Sequence, residues 1–381
     1  MAGIYLHIPF CKQACHYCNF HFSTSLRYKD ELVAALCKEI ELQKNFLEGE
    51  EISTIYFGGG TPSLLTFQEC QLLIQTIIRN FTVKPGAEIT LEANPDDITN
   101  EKLGHWKTAG INRLSIGVQS FFEEELLWMN RAHNSQQAVE SLQLAVARFD
   151  NITIDLIYGS PLLTDLMWQK NVQTAIDLGI PHLSCYALTV EEKTPLHKHI
   201  SLQQKQPVDG NKQAHQFLLL MDWLRNAGYE HYEVSNFAKP GFRSRHNSSY
   251  WKGANYLGIG PSAHSYNGIS RQWNVANNQQ YIEALNNGTL HAEKEMLSQK
   301  DKLNEYIMIS LRTSEGLDLN VVERKWGKER SQYLLNGLQR YIGNEQAIKK
   351  GDCICLTDKG MLAADGIAAR LFSPLSPGGG T

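Results

Sequence analysis

Several kinds of segment are missing from this 381-residue chain, and each absence narrows its class. The opening MAGIYLHIPF has no basic start, long apolar run or small-residue cleavage site, so we expect no secretory signal. No apolar stretch approaches the roughly 20 residues that a membrane helix requires. Basic residues are not in excess, since 36 Lys and Arg against 40 Asp and Glu give a net charge of −4. This balance disfavours a general nucleic-acid binder, and we expect a cytoplasmic globular protein.

Cysteine is sparse and unevenly placed. Three of the eight cysteines, Cys11, Cys15 and Cys18, lie within one short N-terminal stretch. The other five are Cys37, Cys70, Cys185, Cys353 and Cys355. A secreted disulfide framework would be shorter and denser in cysteine. The pattern therefore favours a reducing compartment and makes the N-terminal group the first candidate site.

Short apolar or β-branched runs alternate with amphipathic segments along the first half of the chain. The strand candidates are GIYLHI, STIYFGG, AEITLEA, NRLSIGV, ITIDLIY and HLSCYAL. Buried strands that alternate with helices predict a parallel sheet. Chemically interesting residues follow the ends of these strands, as they do at the active face of a βα barrel. We predict an α/β fold built on a partial (β/α)6 TIM-type barrel, with a small C-terminal α+β domain.

The pattern changes in the second half, and composition divides the chain into four regions. We predict the barrel over residues 1–235, with YEHYEVSNFA as a last strand, and a connecting region, rich in aromatic residues, Gly and Ser, over 236–296. Helices followed by a hairpin at AIKKGDCICLTDKG predict an α+β domain over 297–372, similar to a winged helix. The remaining stretch, SPLSPGGGT at 373–381, is typical of a disordered tail.

The C-x3-C-x2-C spacing of the N-terminal cysteines allows three interpretations. Positions i, i+4 and i+7 could line the buried face of a helix. A zinc ion could be held with His16 or His21 as the fourth ligand. Three thiolates could instead hold three irons of a [4Fe–4S] cluster and leave the fourth iron open. The residues by themselves leave these alternatives open.

The cysteine motif, preceded by a strand and with Tyr17 before its last cysteine, resembles the signature of the radical S-adenosylmethionine superfamily. The resemblance implies that Cys11, Cys15 and Cys18 hold a [4Fe–4S] cluster, and that S-adenosylmethionine occupies the open iron. An electron from the reduced cluster would then cleave a carbon–sulfur bond and give methionine and a 5′-deoxyadenosyl radical. The hard chemistry would belong to the cofactors, and the protein would position and shield them.

Further motifs narrow the resemblance. YFGGGTPS, LEANPDD, RLSIGVQSF, WMNRAH and IDLIYGSP resemble the group that contains oxygen-independent coproporphyrinogen III oxidases and HemW-type haem chaperones, over residues 4–372. The cofactor contacts that this resemblance implies are Tyr5, Tyr17, Gly59, Gly60, Thr61, Glu92, Gln119, Arg131 and Asp155. Glycines let a backbone approach a ligand, and acids inside apolar strands require a partner. A tight turn, a salt bridge or a surface arginine would explain the same residues without a cofactor.

Three features favour the haem chaperones within that group. Phe20 stands where the oxidases have a further cysteine, the first strand begins near Met1 without an extension, and HNSSYW matches the H-N-x-x-Y-W motif of the chaperones. The haem-binding candidates are His246, Asn247, Tyr250, Trp251, Arg243 and Arg245. A structural segment, in which His246 orients the chain and the aromatic residues are buried, is the alternative.

The expected function is to bind haem and pass it to apo-haemoproteins, including respiratory ones. The same resemblance implies an electron donor for the cluster, and it leaves room for a homodimer and for peripheral association with a membrane. The rival functions are oxidative decarboxylation of coproporphyrinogen III and a zinc-binding scaffold. We assign no catalytic residue from the sequence.

Overall fold

The computed structural model of the chain describes residues 1–372, so the predicted tail at 373–381 lies outside the described residues. The chain forms two compact units. The first unit comprises Met1–Glu230, Ser235–Ser249 and Ala254–Glu295, and the second comprises His231–Val234, Tyr250–Gly253 and the chain from Met296. The finer division at residues 235 and 296 stays a prediction.

Six parallel strands form the centre of the first unit, and they lie side by side in chain order. They are β1 (Ala2–Ile8), β2 (Ile52–Gly59), β3 (Val83–Ala93), β4 (Arg113–Gln119), β5 (Ile152–Tyr158) and β6 (His182–Ala187). Each strand candidate from the sequence coincides with one of them. The α/β class with a largely parallel sheet is therefore confirmed.

Helices connect these strands, as a parallel sheet requires. They are α1 (Lys29–Leu42), α2 (Phe67–Asn80), α3 (Asn100–Ala109), α4 (Glu123–Met129), α5 (Ser135–Val146) and α6 (Asp165–Asp177). The start of α2 shows why the sequence folds in this way. The hydroxyl of Thr66 accepts from the backbone N–H of Glu69, whose carboxylate accepts from the N–H of Thr66. This capping box satisfies two donors that a helix start leaves unpaired.

The rest of the first unit extends the sheet at both sides. Its elements, with those that continue into the second unit, are α7 (Pro195–Ser201), α8 (Gly210–Asn226), β7 (Glu230–Glu233), β8 (Asn236–Ala238), α9 (Arg245–Trp251), β9 (Tyr256–Ile259), β10 (His264–Tyr266), β11 (Ser270–Asn274), α10 (Asn278–Asn286) and β12 (Ala292–Met296). Strand β8 is antiparallel to β6, and β9 is parallel to β1. The single strand predicted for YEHYEVSNFA is wrong, because the chain turns between β7 and β8.

Within residues 296–372, the second unit contains a three-stranded antiparallel sheet and five helices. Its elements are α11 (Gln299–Leu311), β13 (Leu317–Asp318), α12 (Leu319–Trp326), α13 (Lys328–Gly343), β14 (Ala347–Lys350), β15 (Cys353–Leu356), α14 (Asp358–Met361) and α15 (Ala364–Leu371). The predicted hairpin at AIKKGDCICL is the pair β14–β15. The small C-terminal α+β domain with an antiparallel sheet is confirmed.

The parallel strands present two chemically different faces. Successive side chains of a strand point to opposite faces of the sheet. One face is apolar and fully buried, with Ile4 and Leu6 on β1 and Ile55 and Phe57 on β2. The opposite face, here called the polar face, carries Tyr5, Tyr56, Glu88, Glu92, Arg113 and Asp155. Burying a polar group costs free energy unless the group is hydrogen-bonded or binds a ligand. The polar face is therefore the natural place for a ligand-binding site.

Candidate cofactor site

The three N-terminal cysteines lie on an irregular loop that follows β1. The N–H of Cys11 donates to the carbonyl of Ser23 at 3.0 Å, and the N–H of Ser23 donates to that of Pro9 at 2.7 Å. A bond of 3.3 Å from the N–H of Cys18 to the carbonyl of Cys15 closes a turn between them. The loop is not helical, which excludes the interpretation of the cysteines as one buried helix face. All three thiols are free and partly buried.

The histidines of this loop have partners other than the thiols. Nδ1 of His16 lies 2.9 Å from Nζ of Lys205, and Nε2 of His21 lies 2.7 Å from Oδ1 of Asn278. Among residues 1–372, no three His, Cys, Asp or Glu side chains are arranged to hold one metal ion. A [4Fe–4S] cluster does not need such convergence, because each thiolate binds a different iron. Burial, with a smaller effect of the neighbouring thiols, raises the pKa of Cys11 to about 11.

The glycines after β2 lie against the base of the cysteine loop. Gly59 has φ +105°, and a Cβ atom there would lie 2.4 Å from Nδ1 of His7. A Cβ atom on Gly60 would lie 2.7 Å from the carbonyl oxygen of Phe10. Only glycine satisfies both the backbone conformation and the close approach. The N–H of Gly59 donates to Oε2 of Glu92 at 3.1 Å, which joins this turn to β3.

Two partly buried acids, Glu92 and Asp155, lie on the polar face of the site. The hydroxyl of Tyr56 donates to Oε1 of Glu92 at 2.7 Å. Burial raises the pKa of Glu92, and the hydrogen bonds from Tyr56 and Gly59 oppose that shift. Burial and the charge of Glu92 raise the pKa of Asp155 to about 7. Neither carboxylate has a salt-bridge partner within residues 1–372, so a ligand with a cationic group would stabilise both ionised acids.

Arg131 connects the cysteine loop with two strand ends. Its Nη2 donates to Oδ1 of Asn94 and to the carbonyl of Gly117, each at 2.7 Å. Its Nη1 donates to Sγ of Cys15 at 3.1 Å. The Nε atom is buried and has no hydrogen-bond partner in the described chain. Arg131 is therefore not a surface helix residue, and its remaining donor fits an anionic ligand group.

The other predicted contacts lie around this framework. The hydroxyl of Tyr5 lies 3.1 Å from Nδ1 of His7, and that of Tyr17 lies 3.5 Å from Nη1 of Arg131. Thr61 is buried and accepts from Nδ2 of Asn94 at 3.2 Å. Gln119 ends β4 with φ +70°, a conformation that a residue other than glycine seldom adopts. The predicted cofactor residues thus gather at the carboxyl ends of β1–β5.

The HNSSYW segment forms helix α9 rather than a loop. His246 is only 2% exposed, its Nδ1 lies 2.8 Å from Oγ1 of Thr54, and burial lowers its pKa to about 3. The N–H of Asn247 donates to Oγ of Ser244 at 3.2 Å. Tyr250 and Trp251 belong to the second unit. There the guanidinium of Arg312 lies 5.5 Å from the ring centre of Trp251.

The two arginines before α9 have protein partners. Nε of Arg243 donates to Oε2 of Glu230 at 3.0 Å. Nη2 of Arg245 donates to the carbonyl of Gly86 at 2.9 Å. Their pairing with haem propionates, like the haem-binding roles of the four motif residues, stays a prediction.

Four residues of the site were not predicted from the sequence. They are His7, Tyr56, Asn94 and Gly117. Tyr56 could have been predicted from strand periodicity, because it lies two residues before Gly58 and therefore on the same face of β2. Asn94 and Gly117 contribute through Arg131, and that pairing has no local pattern in the sequence.

Comparisons with known proteins identify two matching domain families and several relatives of this chain. Residues 5–185 match the Radical SAM superfamily, and residues 297–363 match the HemN C-terminal domain. Heme chaperone HemW of Mycobacterium tuberculosis is 34% identical over 376 residues, which cover 97% of this chain and 94% of that protein. Heme chaperone HemW of Lactococcus lactis is 34% identical over 357 residues, which cover 93% of each.

A solved structure supports the fold. Coproporphyrinogen III oxidase (HemN) from Escherichia coli superposes with a TM-score of 0.84 at 24% identity, over 98% of this chain and 90% of that one. The fold and the cysteine loop thus define a radical S-adenosylmethionine protein, a class that uses a [4Fe–4S] cluster and S-adenosylmethionine. Within that class, the chain belongs to the family of the HemW haem chaperones. No helix within residues 1–372 is long and apolar enough to cross a membrane.

Proposed function

We propose that this protein binds haem and transfers it to apo-haemoproteins, and that it carries a [4Fe–4S] cluster and S-adenosylmethionine. The observation that carries the proposal is the similarity along nearly the whole chain to proteins named as haem chaperones. The HNSSYW segment and Phe20 support it, because both separate the chaperones from the oxidases. The proposed location is the cytoplasm.

Cys11, Cys15 and Cys18 would hold the cluster, since three free thiols on one loop leave the fourth iron for a cofactor. Glu92 and Asp155 would attract the ammonium and sulfonium groups of S-adenosylmethionine. The glycine turn would allow the cofactor to approach the backbone, because side chains at Gly59 and Gly60 would collide with the loop. When bound, the reduced cluster supplies the electron that cleaves the cofactor.

Phe20 gives the loop an exposed apolar surface in place of a thiol. Its side chain is 68% exposed. Its backbone N–H donates a hydrogen bond to the thiol of Cys18, which lowers the pKa of that thiol against the larger effect of burial. The oxidases have a further cysteine at this position, whereas phenylalanine has no ionisable or redox-active group. This difference favours haem binding over decarboxylation.

The cluster is tested first. Protein reconstituted with iron and sulfide without oxygen should be brown, with about four irons per chain, and Cys15→Ala should remove most of that iron. Cys37→Ala is the matched control, because Cys37 lies on α1 away from the loop and bonds to Thr76. A colourless protein that retains one zinc would contradict the assignment.

The biological task is tested with the loaded protein. Haem titration should give saturable binding, and mixing with an apo-haemoprotein should transfer that haem. Coproporphyrinogen III with reductant and S-adenosylmethionine should give no product. A Phe20→Cys variant tests the rival directly, since gain of decarboxylation would show that this position selects the activity. Turnover by the natural chain, without haem binding, would overturn the proposal in favour of the oxidase.

A further inference from the structure

Three aromatic rings form a continuous stack on the polar face of the sheet. Tyr5 on β1 and Tyr56 on β2 are register partners, and their ring centres lie 6.1 Å apart with an angle of 26°. The ring of His246, from α9, also stacks on Tyr56, at 4.8 Å and 24°. The motif associated with haem therefore touches the wall of the proposed cofactor pocket.

The stack continues into the pocket through hydrogen bonds. The hydroxyl of Tyr56 donates to one oxygen of Glu92, and the other oxygen accepts from the N–H of Gly59. His246 is fixed from below, because Nδ1 lies 2.8 Å from Oγ1 of Thr54. Each link from His246 to the glycine turn is thus a contact between buried or partly buried groups.

The backbone of α9 is also fixed. The carboxylate of Glu88 accepts from the N–H of His246 at 2.9 Å and from the N–H of Arg245 at 3.1 Å. These bonds place the start of α9 against β3, beside the ring stack. An iron ligand must present a ring nitrogen to the haem face, whereas this ring is enclosed by the sheet.

We infer that His246 is a positioning residue for the S-adenosylmethionine pocket, which holds Tyr56 and, through it, Glu92, and that it is not the axial ligand of haem iron. The inference rests on the proposed cofactor site and gives the HNSSYW motif a second task. Helix α9 would then connect the haem motif with the cofactor pocket, because it carries His246 together with the other residues of the motif.

The test measures two affinities on the same reconstituted protein. His246→Ala should weaken S-adenosylmethionine binding about tenfold, the lower range for a lost hydrogen bond to a charged group, and change haem affinity less than about twofold. Tyr56→Phe removes only the hydroxyl and should have a similar effect. Because both act on Glu92 in series, the double variant should lose far less than the product of the single losses.

Two further variants keep the test decisive. Ser249→Ala removes one hydrogen bond within α9, from Oγ to the carbonyl of His246 at 2.7 Å, and should leave S-adenosylmethionine affinity unchanged. If His246→Ala does not fold, Thr54→Val removes the hydrogen bond to Nδ1 of His246 while the side chain keeps nearly the same shape. It should weaken S-adenosylmethionine binding severalfold, as expected for the loss of one hydrogen bond.

The outcomes separate the inference from the proposed function. Loss of haem with unchanged S-adenosylmethionine affinity in His246→Ala, or multiplicative losses in the double variant, would overturn the positioning role. Failure of the natural protein to bind haem would overturn the chaperone proposal, while the S-adenosylmethionine measurements would still decide the role of His246.

Discussion

Replacement of Arg131 by methionine tests how the cysteine loop is attached to the sheet. The side chain keeps most of its apolar volume, but all the donors are lost. Two oxygens, Oδ1 of Asn94 and the carbonyl of Gly117, then lose partners at 2.7 Å. Each unsatisfied buried acceptor costs about 1–3 kcal/mol, so the expected loss of unfolding free energy is about 2–6 kcal/mol.

This loss is large enough for a simple assay. A change of 1 kcal/mol shifts Tm by about 2–4 °C in domains of 150–250 residues, so cluster-free Arg131→Met should melt at least about 4 °C lower. Arg131→Lys should recover less than half of the difference, because one ammonium group cannot reproduce the fork of the guanidinium. Reconstituted Arg131→Met should also bind S-adenosylmethionine more weakly.

The control is Arg148→Met, which removes an exposed arginine that follows α5. Its Tm should stay within about 1 °C of the natural protein, as is usual for surface substitutions. The reasoning is refuted if Arg131→Met and Arg148→Met melt at the same temperature, since the bonds to Asn94 and Gly117 would then contribute nothing.

Two more perturbations test other features. Gly59→Ala combines φ +105° with a Cβ atom 2.4 Å from Nδ1 of His7. It should therefore lower Tm more than the control Gly49→Ala, where φ is +80° but no atom lies within 4 Å of the new Cβ. Only Gly59→Ala should weaken S-adenosylmethionine binding. Burial raises the pKa of Glu39 to about 7, so between about pH 4.5 and pH 7 this carboxyl ionises in the unfolded chain before it ionises in the folded one. The free energy of unfolding should therefore fall over this range, by roughly 3 kcal/mol for a shift of this size. Glu39→Gln should flatten this part of the stability profile, measured as Tm against pH, and an unchanged slope would contradict the assignment.

The sequence by itself determined the elements and the chemical class. The strand candidates were predicted closely, because short apolar and β-branched runs are patterns of a few neighbouring positions. The cysteine spacing and the GGGTP turn are also local, so short segments were enough to locate the cysteine loop and the glycine turn. The same local signals missed the break between β7 and β8, where a single apolar run contains a turn.

Only the tertiary structure decided what HNSSYW touches and what Arg131 holds. His246 and Thr54 are 192 positions apart, and Arg131 and Cys15 are 116 apart. Local periodicity fixes which face of an element a side chain occupies, but strand order and helix placement decide which faces meet. A histidine in a haem motif suggested an iron ligand from sequence, whereas the fold shows its ring buried and stacked on Tyr56.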